Sequence, residues 1–235
     1  MMKIVARLMK PNSPMAAEVQ EQRKLAAIMF TDMVGYSALA QRDERLAVEL
    51  LEEHRAFLRP AFLKHKGQEV KTIGDGFLVE FASAVAAVNC AVELQEALAR
   101  RNLDAAAERR LQVRIGIHLG DVLRHEDDIV GDGVNIAARI EPLADPGGIA
   151  ITRQVFDQVY NKISETLVCI GKVEVKNIRR PIDVYRIVLG PKTRKAAEGK
   201  RKTSNLSRQP NRGHERSIAV SRGLARSRDG IHVRH

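Results

Sequence analysis

The chain has 235 residues, 44% of them hydrophobic, which is enough for one full domain with a sizeable core plus extensions. Its net charge of +10 is uneven, because residues 191–235 carry 13 basic and 3 acidic side chains while residues 15–190 carry 23 and 26. No run approaches the roughly 20 apolar residues of a membrane span. The N-terminus also lacks the long apolar stretch of a signal peptide, so we expect a soluble, cytoplasmic protein.

The first predicted elements are a buried strand, a long helix and a hairpin. Leu25–Phe30 is a continuous apolar run, typical of a strand buried on both faces. Asp43 is the predicted N-cap of a helix whose apolar side chains recur every three or four residues. Glu69–Ile73 and Phe77–Phe81 flank Gly74-Asp75-Gly76, and Asp-Gly between two β-rich runs is typical of a hairpin.

The remaining elements complete an α+β pattern. They are a helix over Ala82–Arg101, a strand over Leu111–Leu119, a helix over Asn135–Leu143, a strand over Ile149–Ile151, a helix capped by Thr152 that ends near Tyr160, and a strand pair over Leu167–Val175 and Ile182–Leu189. The β-α-β-β-α-β order with additional C-terminal strands and helices predicts a ferredoxin-like core. Its helices would cover one face of a mostly antiparallel sheet and leave the other for a cleft or an interface.

Composition divides the chain into three segments. We expect an N-terminal extension over residues 1–23, a folded domain over 24–190 and a basic, disordered tail over 191–235. The tail's charge would allow salt-dependent, non-specific contact with nucleic acid or acidic lipid. Cys90 and Cys169 both lie in apolar runs, which predicts two buried, reduced thiols rather than a disulfide.

Two acidic turns carry the first chemical signal. Asp32 ends a strand run in Phe-Thr-Asp-Met-Val-Gly-Tyr-Ser, and Asp75 lies in Lys-Thr-Ile-Gly-Asp-Gly-Phe. A lone aspartate at a turn usually caps or forms that turn. Two carboxylates presented from adjacent strand ends are instead what a pair of Mg²⁺ or Mn²⁺ ions needs, which suggests chemistry on a phosphate.

A later segment adds an amide and a guanidinium. Asn135 and Arg139 are four residues apart, so on a helix they share one face. Arginine suits a phosphate because its planar donors match phosphate oxygens and it stays charged. Taken alone, this spacing is usually that of a surface pair. His118 lies in an alternating strand run and is expected to be structural.

These segments together resemble the catalytic domain of class III nucleotide cyclases. The motifs that carry the resemblance are Phe-Thr-Asp-Met-Val-Gly-Tyr-Ser, Lys-Thr-Ile-Gly-Asp-Gly-Phe, Arg-Ile-Gly-Ile-His-Leu-Gly and Gly-Asp-Gly-Val-Asn-Ile-Ala-Ala-Arg. They occur in the family's order and with similar spacing, over roughly residues 24–188. Four separate matches are far more specific than any single one.

The resemblance implies a metal site and a purine site. Asp32 and Asp75 would hold two Mg²⁺ or Mn²⁺ ions per active site, with the backbone carbonyl of Met33 as a further ligand. Lys71 would contact the purine ring nitrogen, and Asp128 would accept a hydrogen bond from the exocyclic amino group.

The same resemblance implies the groups around the ribose and the phosphates. Asn135 would orient the ribose and Arg139 would stabilise the α-phosphate in the transition state. Lys176 matches a triphosphate-binding lysine, although Asn177 stands where the family usually has glycine. The implied reaction is in-line attack of the ribose 3′-hydroxyl on the α-phosphorus of ATP, which releases diphosphate and needs no side-chain base.

The purine can be chosen by hydrogen-bond chemistry. Adenine offers a donor at its amino group and an acceptor at the adjacent ring nitrogen, which match Asp128 and Lys71. Guanine presents the reverse, and unmatched buried polar groups cost about 1–3 kcal/mol each. The family's guanylate cyclases have a Glu and Cys pairing here, which this chain lacks. We therefore expect an adenylate cyclase that produces cyclic AMP.

The resemblance also implies a homodimer with two shared active sites. In the family the metal pair comes from one protomer, and the purine lysine and the Asn/Arg helix from the other. This chain carries both sets. A guanylate cyclase, a catalytically inactive nucleotide-binding dimerisation module and a nucleic-acid-binding tail remain alternatives. Because no regulatory region is legible, we also expect the chain to be a truncated or altered version of a longer architecture.

Overall fold

The computed structural model describes residues 22–125, 128–175, 178 and 180–190. Its elements in chain order are β1 (Gln22–Met33), α1 (Tyr36–Arg42), α2 (Glu44–Lys64), β2 (Gln68–Ile73), β3 (Gly76–Phe81), α3 (Ala84–Leu103), β4 (Val113–His125), β5 (Asp128–Val130), α4 (Asp132–Ile140), β6 (Ile149–Thr152), α5 (Arg153–Val159), β7 (Thr166–Val173) and β8 (Ile182–Val188). Single 3₁₀ turns cover Ala107–Arg109 and Glu141–Leu143.

The described strands form one sheet. Its order is β2-β3-β1-β4-β6-β8-β7, and β5 pairs with the last residues of β4. β4 and β6 run parallel, while the other described pairs are antiparallel. The order β1-α2-β2-β3-α3-β4 confirms the predicted α+β, ferredoxin-like core.

Alternation along β1 separates two apolar layers. Ala27 and Met29 belong to the large core beneath α2, α3 and α5, whereas Ala26 and Ile28 point to the opposite face. On that second face they pack with Ala137 of α4. The core helices α2 and α3 share one face as predicted, whereas α4, an addition to the core, covers part of the second face that was expected to form a cleft or an interface.

The long helix α2 follows the predicted pattern. Asp43 caps it, with the side-chain Oδ1 accepting a hydrogen bond from the backbone N–H of Leu46 at 3.0 Å. The helix buries one stripe against the sheet, and this stripe consists of Ala47, Leu50, His54, Leu58 and Phe62.

Two local predictions fail because tertiary contacts decide them. Cys90 is buried as expected, but Cys169 is exposed, since β7 is the edge strand and its side chains largely face solvent. Thr152 occupies the N-cap position of α5 but makes no capping bond. Its hydroxyl instead pairs with Nδ1 of buried His118 at 2.9 Å. In the described part of the chain, no helix is long and apolar enough to cross a bilayer.

His54 is an unusual member of the core. Its side chain is fully buried, its ring centroid lies 5.6 Å from that of Phe77, and neither ring nitrogen has a hydrogen-bond partner among the described residues. Burial, followed by the charge of Arg55, lowers the pKa of His54 to about 4. The ring is therefore neutral in the folded protein at neutral pH.

We expect His54→Leu to stabilise the protein, most strongly in mild acid. The unfolded chain binds a proton near pH 6.5, while folded His54 resists protonation down to about pH 4. Wild-type stability therefore falls as the pH drops through this window, and the substitution removes up to about 3 kcal/mol of that loss. Urea unfolding at pH 5 and pH 8 measures it.

The His54→Leu variant keeps His118, which is a second source of acid destabilisation. Burial also lowers its pKa to about 4, so part of the acid destabilisation persists in the variant. No gain in stability at pH 5, or an unchanged pH dependence, would contradict the account of His54.

Candidate active site

Two aspartates meet where β1 ends and β3 begins. Asp32 is the penultimate residue of β1, and Asp75 lies in the turn between β2 and β3. β3 pairs with β1 so that Phe77 is opposite Thr31. The backbone N–H of Phe77 also donates to the side-chain hydroxyl of Thr31 at 3.0 Å. Neighbouring strands therefore place both carboxylates at one end of the sheet.

Gly76 permits the close approach of the two strands. A Cβ atom at this position would lie 1.9 Å from the backbone oxygen of Thr31, well inside contact distance. Gly74 has φ of 60°, a left-handed conformation that suits glycine. Gly74 thus permits the left-handed backbone before Asp75, and Gly76 permits the close strand contact after it.

The carboxylate pair is electrostatically strained. Burial, and next the charge of Asp75, raise the pKa of Asp32 above its ordinary value. Arg114 of β4 opposes this shift, with Nη1 3.7 Å from Oδ2 of Asp32. A cation placed between the two aspartates would relieve their repulsion.

Two further charged residues belong to this end of the sheet and were not singled out from the sequence. Arg114 is opposite Asp32 in the β1–β4 register, a pairing that strand alternation alone cannot reveal. Glu141 is buried, and its Oε1 has no hydrogen-bond partner among the described residues. Burial, followed by the charge of Asp32, raises the pKa of Glu141 to about 7. Its position two residues after Arg139 is the only local hint.

The donor set suits a hard divalent cation. Among the described residues, no three His, Cys, Asp or Glu side chains converge as metal ligands. Asp32 and Asp75 provide two carboxylates at this end of the sheet. Met33, the last residue of β1, provides a backbone carbonyl. Mg²⁺ is commonly bound by one or two carboxylates together with water and substrate phosphates. These residues fit such an ion.

A second group lies elsewhere on the sheet. Nζ of Lys71 in β2 is 2.5 Å from Oδ2 of Asp128 in β5. The other carboxylate oxygen of Asp128 accepts from the backbone N–H of Ile129 at 2.8 Å. The hydrogen bond from Lys71 is the main cause that lowers the pKa of Asp128, so this carboxylate is charged and acts only as an acceptor.

The α4 helix carries the predicted amide and guanidinium. Asn135 is exposed and Arg139 is half-buried, four residues apart as predicted. Within the described part of the chain, neither side chain makes a hydrogen bond or ion pair, so both are available to a ligand. Lys176 lies outside the described residues.

The two groups lie on different strands but share the β2–β3 hairpin, which carries both Lys71 and Asp75. Asp32 is opposite Arg114 near the start of β4, whereas Asp128 is opposite His125 at its end. Lys71 precedes Asp75 by four residues, about 13 Å of extended chain at ~3.3 Å per residue. Among the described residues, no hydrogen bond or ion pair links the aspartate pair to Lys71, Asp128, Asn135 or Arg139.

Solved structures of nucleotide cyclases share this fold. The "Adenylate/Guanylate Cyclase/Hydrolase from Silicibacter pomeroyi" superposes with a TM-score of 0.67 at 40% identity, covering 72% of this chain and 99% of that one. The adenylyl cyclase CyaB from P. aeruginosa (TM-score 0.64) and the guanylyl cyclase Cya2 (TM-score 0.63), both 23% identical, share the fold. The fold by itself therefore does not decide the nucleotide.

The comparison with protein families also identifies a nucleotide cyclase domain. This chain belongs to the adenylate and guanylate cyclase catalytic domain family, whose model matches residues 18–189. "Putative adenylate cyclase 3" of Rhizobium meliloti (strain 1021) is 46% identical over 165 residues, which cover 70% of this chain and 28% of that protein. The chain also spans only 22% of "Serine/threonine-protein kinase pkn2" of Myxococcus xanthus, to which it is 28% identical.

We expect Gly76→Ala to separate β3 from β1 and displace Asp75. The clash with the Thr31 carbonyl should cost about 1–3 kcal/mol of stability. It should also remove the thermal stabilisation that we expect Mn²⁺ to give the wild-type protein. Thermal unfolding with and without Mn²⁺ measures both effects.

Gly74→Asn is the matched control. Nothing lies within 4 Å of a Cβ atom at Gly74, and asparagine tolerates left-handed backbone. The control should keep its Mn²⁺ response. If Gly76→Ala responds to Mn²⁺ like wild type, the close strand contact does not position Asp75.

Proposed function

We propose that this chain is an adenylate cyclase that converts ATP to 3′,5′-cyclic AMP and diphosphate. The observation that carries this choice is the contact between Lys71 and Asp128. It places one cationic donor beside one ionised acceptor, at a distance that a purine edge can address. The 46% identity to a protein named as an adenylate cyclase supports the same choice.

The nucleotide preference follows from hydrogen-bond polarity. Asp128, held in its charged form, accepts from the adenine amino group, and Lys71 donates to the adjacent ring nitrogen. Guanine would set an oxygen against Asp128 and an N–H against Lys71. Each mismatch costs about 1–3 kcal/mol, so two mismatches correspond to a preference of at least tenfold.

The metal pair would be held by Asp32, Asp75 and the backbone carbonyl of Met33. Bound there, two Mg²⁺ or Mn²⁺ ions would lower the pKa of the ribose 3′-hydroxyl and neutralise phosphate charge. Arg114, already 3.7 Å from Asp32, adds a fixed positive charge for the phosphate oxygens.

The α4 side chains complete the proposed site. Asn135 is exposed and can orient a ribose oxygen, while Arg139 can donate two hydrogen bonds to the α-phosphate as charge develops in the transition state. Lys176 is proposed to contact the triphosphate. We assign these functions to a domain over residues 24–190, flanked by the extension and the basic tail; the family match covers residues 18–189.

The proposed assembly is a head-to-tail homodimer with two shared sites. One chain holds Asp32 near the start of β4 and Asp128 beside the end of β4, while Lys71 shares the β2–β3 hairpin with Asp75. A two-fold axis can bring the aspartate end of one protomer to the purine end of its partner, twice in each dimer. A monomer would then be inactive.

Purified protein tests the reaction directly. We expect cyclic AMP from ATP with Mn²⁺ or Mg²⁺, and a lower kcat/KM with GTP, with products separated by chromatography. A higher kcat/KM for GTP would assign a guanylate cyclase. Nucleotide binding by a dimer without any cyclic product would assign an inactive binding module.

Deleting residues 191–235 should abolish any nucleic-acid affinity and leave cyclase activity.

Mixing two inactive variants tests the shared sites. Asp75→Ala removes the metal pair and Arg139→Ala the phosphate contact, so each homodimer should be inactive. A heterodimer keeps one intact site, and random mixing should restore about a quarter of wild-type activity. No recovery, with heterodimers confirmed by native mass spectrometry, would overturn the shared-site assembly.

A further inference from the structure

A buried carboxylate lies within a polar cluster whose members come from four strands on the second face of the sheet. The Glu80 side chain of β3 is 7% exposed, and Lys24 of β1 forms an ion pair with its Oε1. Nη2 of Arg124, in β4, lies 2.8 Å from Oε2 of Glu80 and 2.9 Å from Oε1 of Gln68 in β2. The cluster of Lys24, Gln68, Glu80 and Arg124 is called the Glu80 clamp below.

The Glu80 clamp crosses the sheet rather than following it. β4 neighbours β1, and neither β3 nor β2 is next to it in the sheet order. Arg124 must therefore reach across β1 to contact Glu80 and Gln68. This reach fixes the end of β4 over the β2–β3 hairpin.

The end of β4 in turn carries Asp128. Arg124 is opposite Ile129 in the β4–β5 register, one residue from Asp128. β5 has three residues, and its described strand pairing is to β4 alone. The position of β5 therefore depends on where the Glu80 clamp holds Arg124.

The relative strengths of the exposed and the buried ion pairs indicate which contact holds Asp128 near Lys71. The Lys71–Asp128 ion pair is about half exposed, at 43% and 42%, and such surface pairs contribute little by themselves. A buried carboxylate with two cations is different, because removing one partner leaves an uncompensated charge in the interior. The Glu80 clamp is therefore the stronger constraint on where β5 lies.

We infer that Glu80 and Arg124 are positioning residues for purine selection, which set the spacing of Lys71 and Asp128 and so favour adenine over guanine. They contact no nucleotide and act through β5. This inference rests on the proposed function, since it assigns the origin of the nucleotide preference at that same site.

The test compares Glu80→Gln and Arg124→Lys with wild type. Dissociation constants are measured for fluorescent, non-cyclisable ATP and GTP analogues, together with kcat and KM for ATP. We expect the ATP-to-GTP affinity ratio to fall about tenfold, the size of one lost hydrogen-bond match. The loss should appear mainly in KM, and Glu80→Asp, which keeps the charge, should restore part of it.

Glu53→Gln is the matched control. Glu53 accepts from Arg101 at 2.7 Å in a partly buried pair between α2 and α3, remote from β5. This control loses a more exposed ion pair by the same Glu-to-Gln change and should keep the ATP-to-GTP ratio. If Glu80→Gln lowers the melting temperature but leaves the ratio unchanged, the clamp is only structural and the inference is overturned.

A second measurement separates this inference from the proposed function. The carboxyl carbon shift of Asp128, followed by NMR against pH, reports its contact with Lys71 without any nucleotide. Loss of the clamp should raise the pKa of Asp128 toward its ordinary value, and an unchanged pKa in Glu80→Gln and Arg124→Lys overturns the inference. A wild-type protein that prefers GTP overturns the proposed function instead.

Discussion

The contact between β3 and β1 at Gly76 and Thr31 is the constraint from which the rest of the site follows. With no side chain at Gly76, β3 can start directly against the Thr31 carbonyl, and Phe77 can enter the core beside Phe62 and His54. The same contact leaves Asp75 next to Asp32. A larger residue would separate the core from the carboxylate pair, so packing and charge placement are set by one close approach.

The electrostatics of the two groups differ for a physical reason. Asp32, Asp75 and Glu141 are partly or fully buried and repel one another, which raises the pKa values of Asp32 and Glu141. Asp128 faces Lys71, which lowers its pKa. The three carboxylates repel one another, and a cation would relieve that repulsion. The Lys71–Asp128 pair presents a hydrogen-bond donor beside an acceptor. Such opposed environments are typical of sites rather than of ordinary surface.

The second face of the sheet connects these groups. The α4 helix packs Ala137 against this face and leaves Asn135 exposed, while the Glu80 clamp anchors the end of β4 nearby. Part of the face is thus a core and part is a polar surface. In the proposed homodimer, this division would let each chain present two half-sites that complete one another across a two-fold axis.

The sequence by itself determined the local features of this protein. Asp-Gly between β-rich runs defines the hairpin, the 3.6-residue period defines α2, and Asp43 caps it, because each depends on neighbours in the chain. The aspartates and the α4 pair were singled out as candidate site residues through motif order. The tertiary structure alone decided what depends on which strands and faces meet. It placed Arg114 opposite Asp32 and buried Glu141 and Glu80. It also exposed Cys169 on an edge strand and gave the Thr152 hydroxyl to His118. Those contacts join residues far apart in sequence, and no local spacing encodes them.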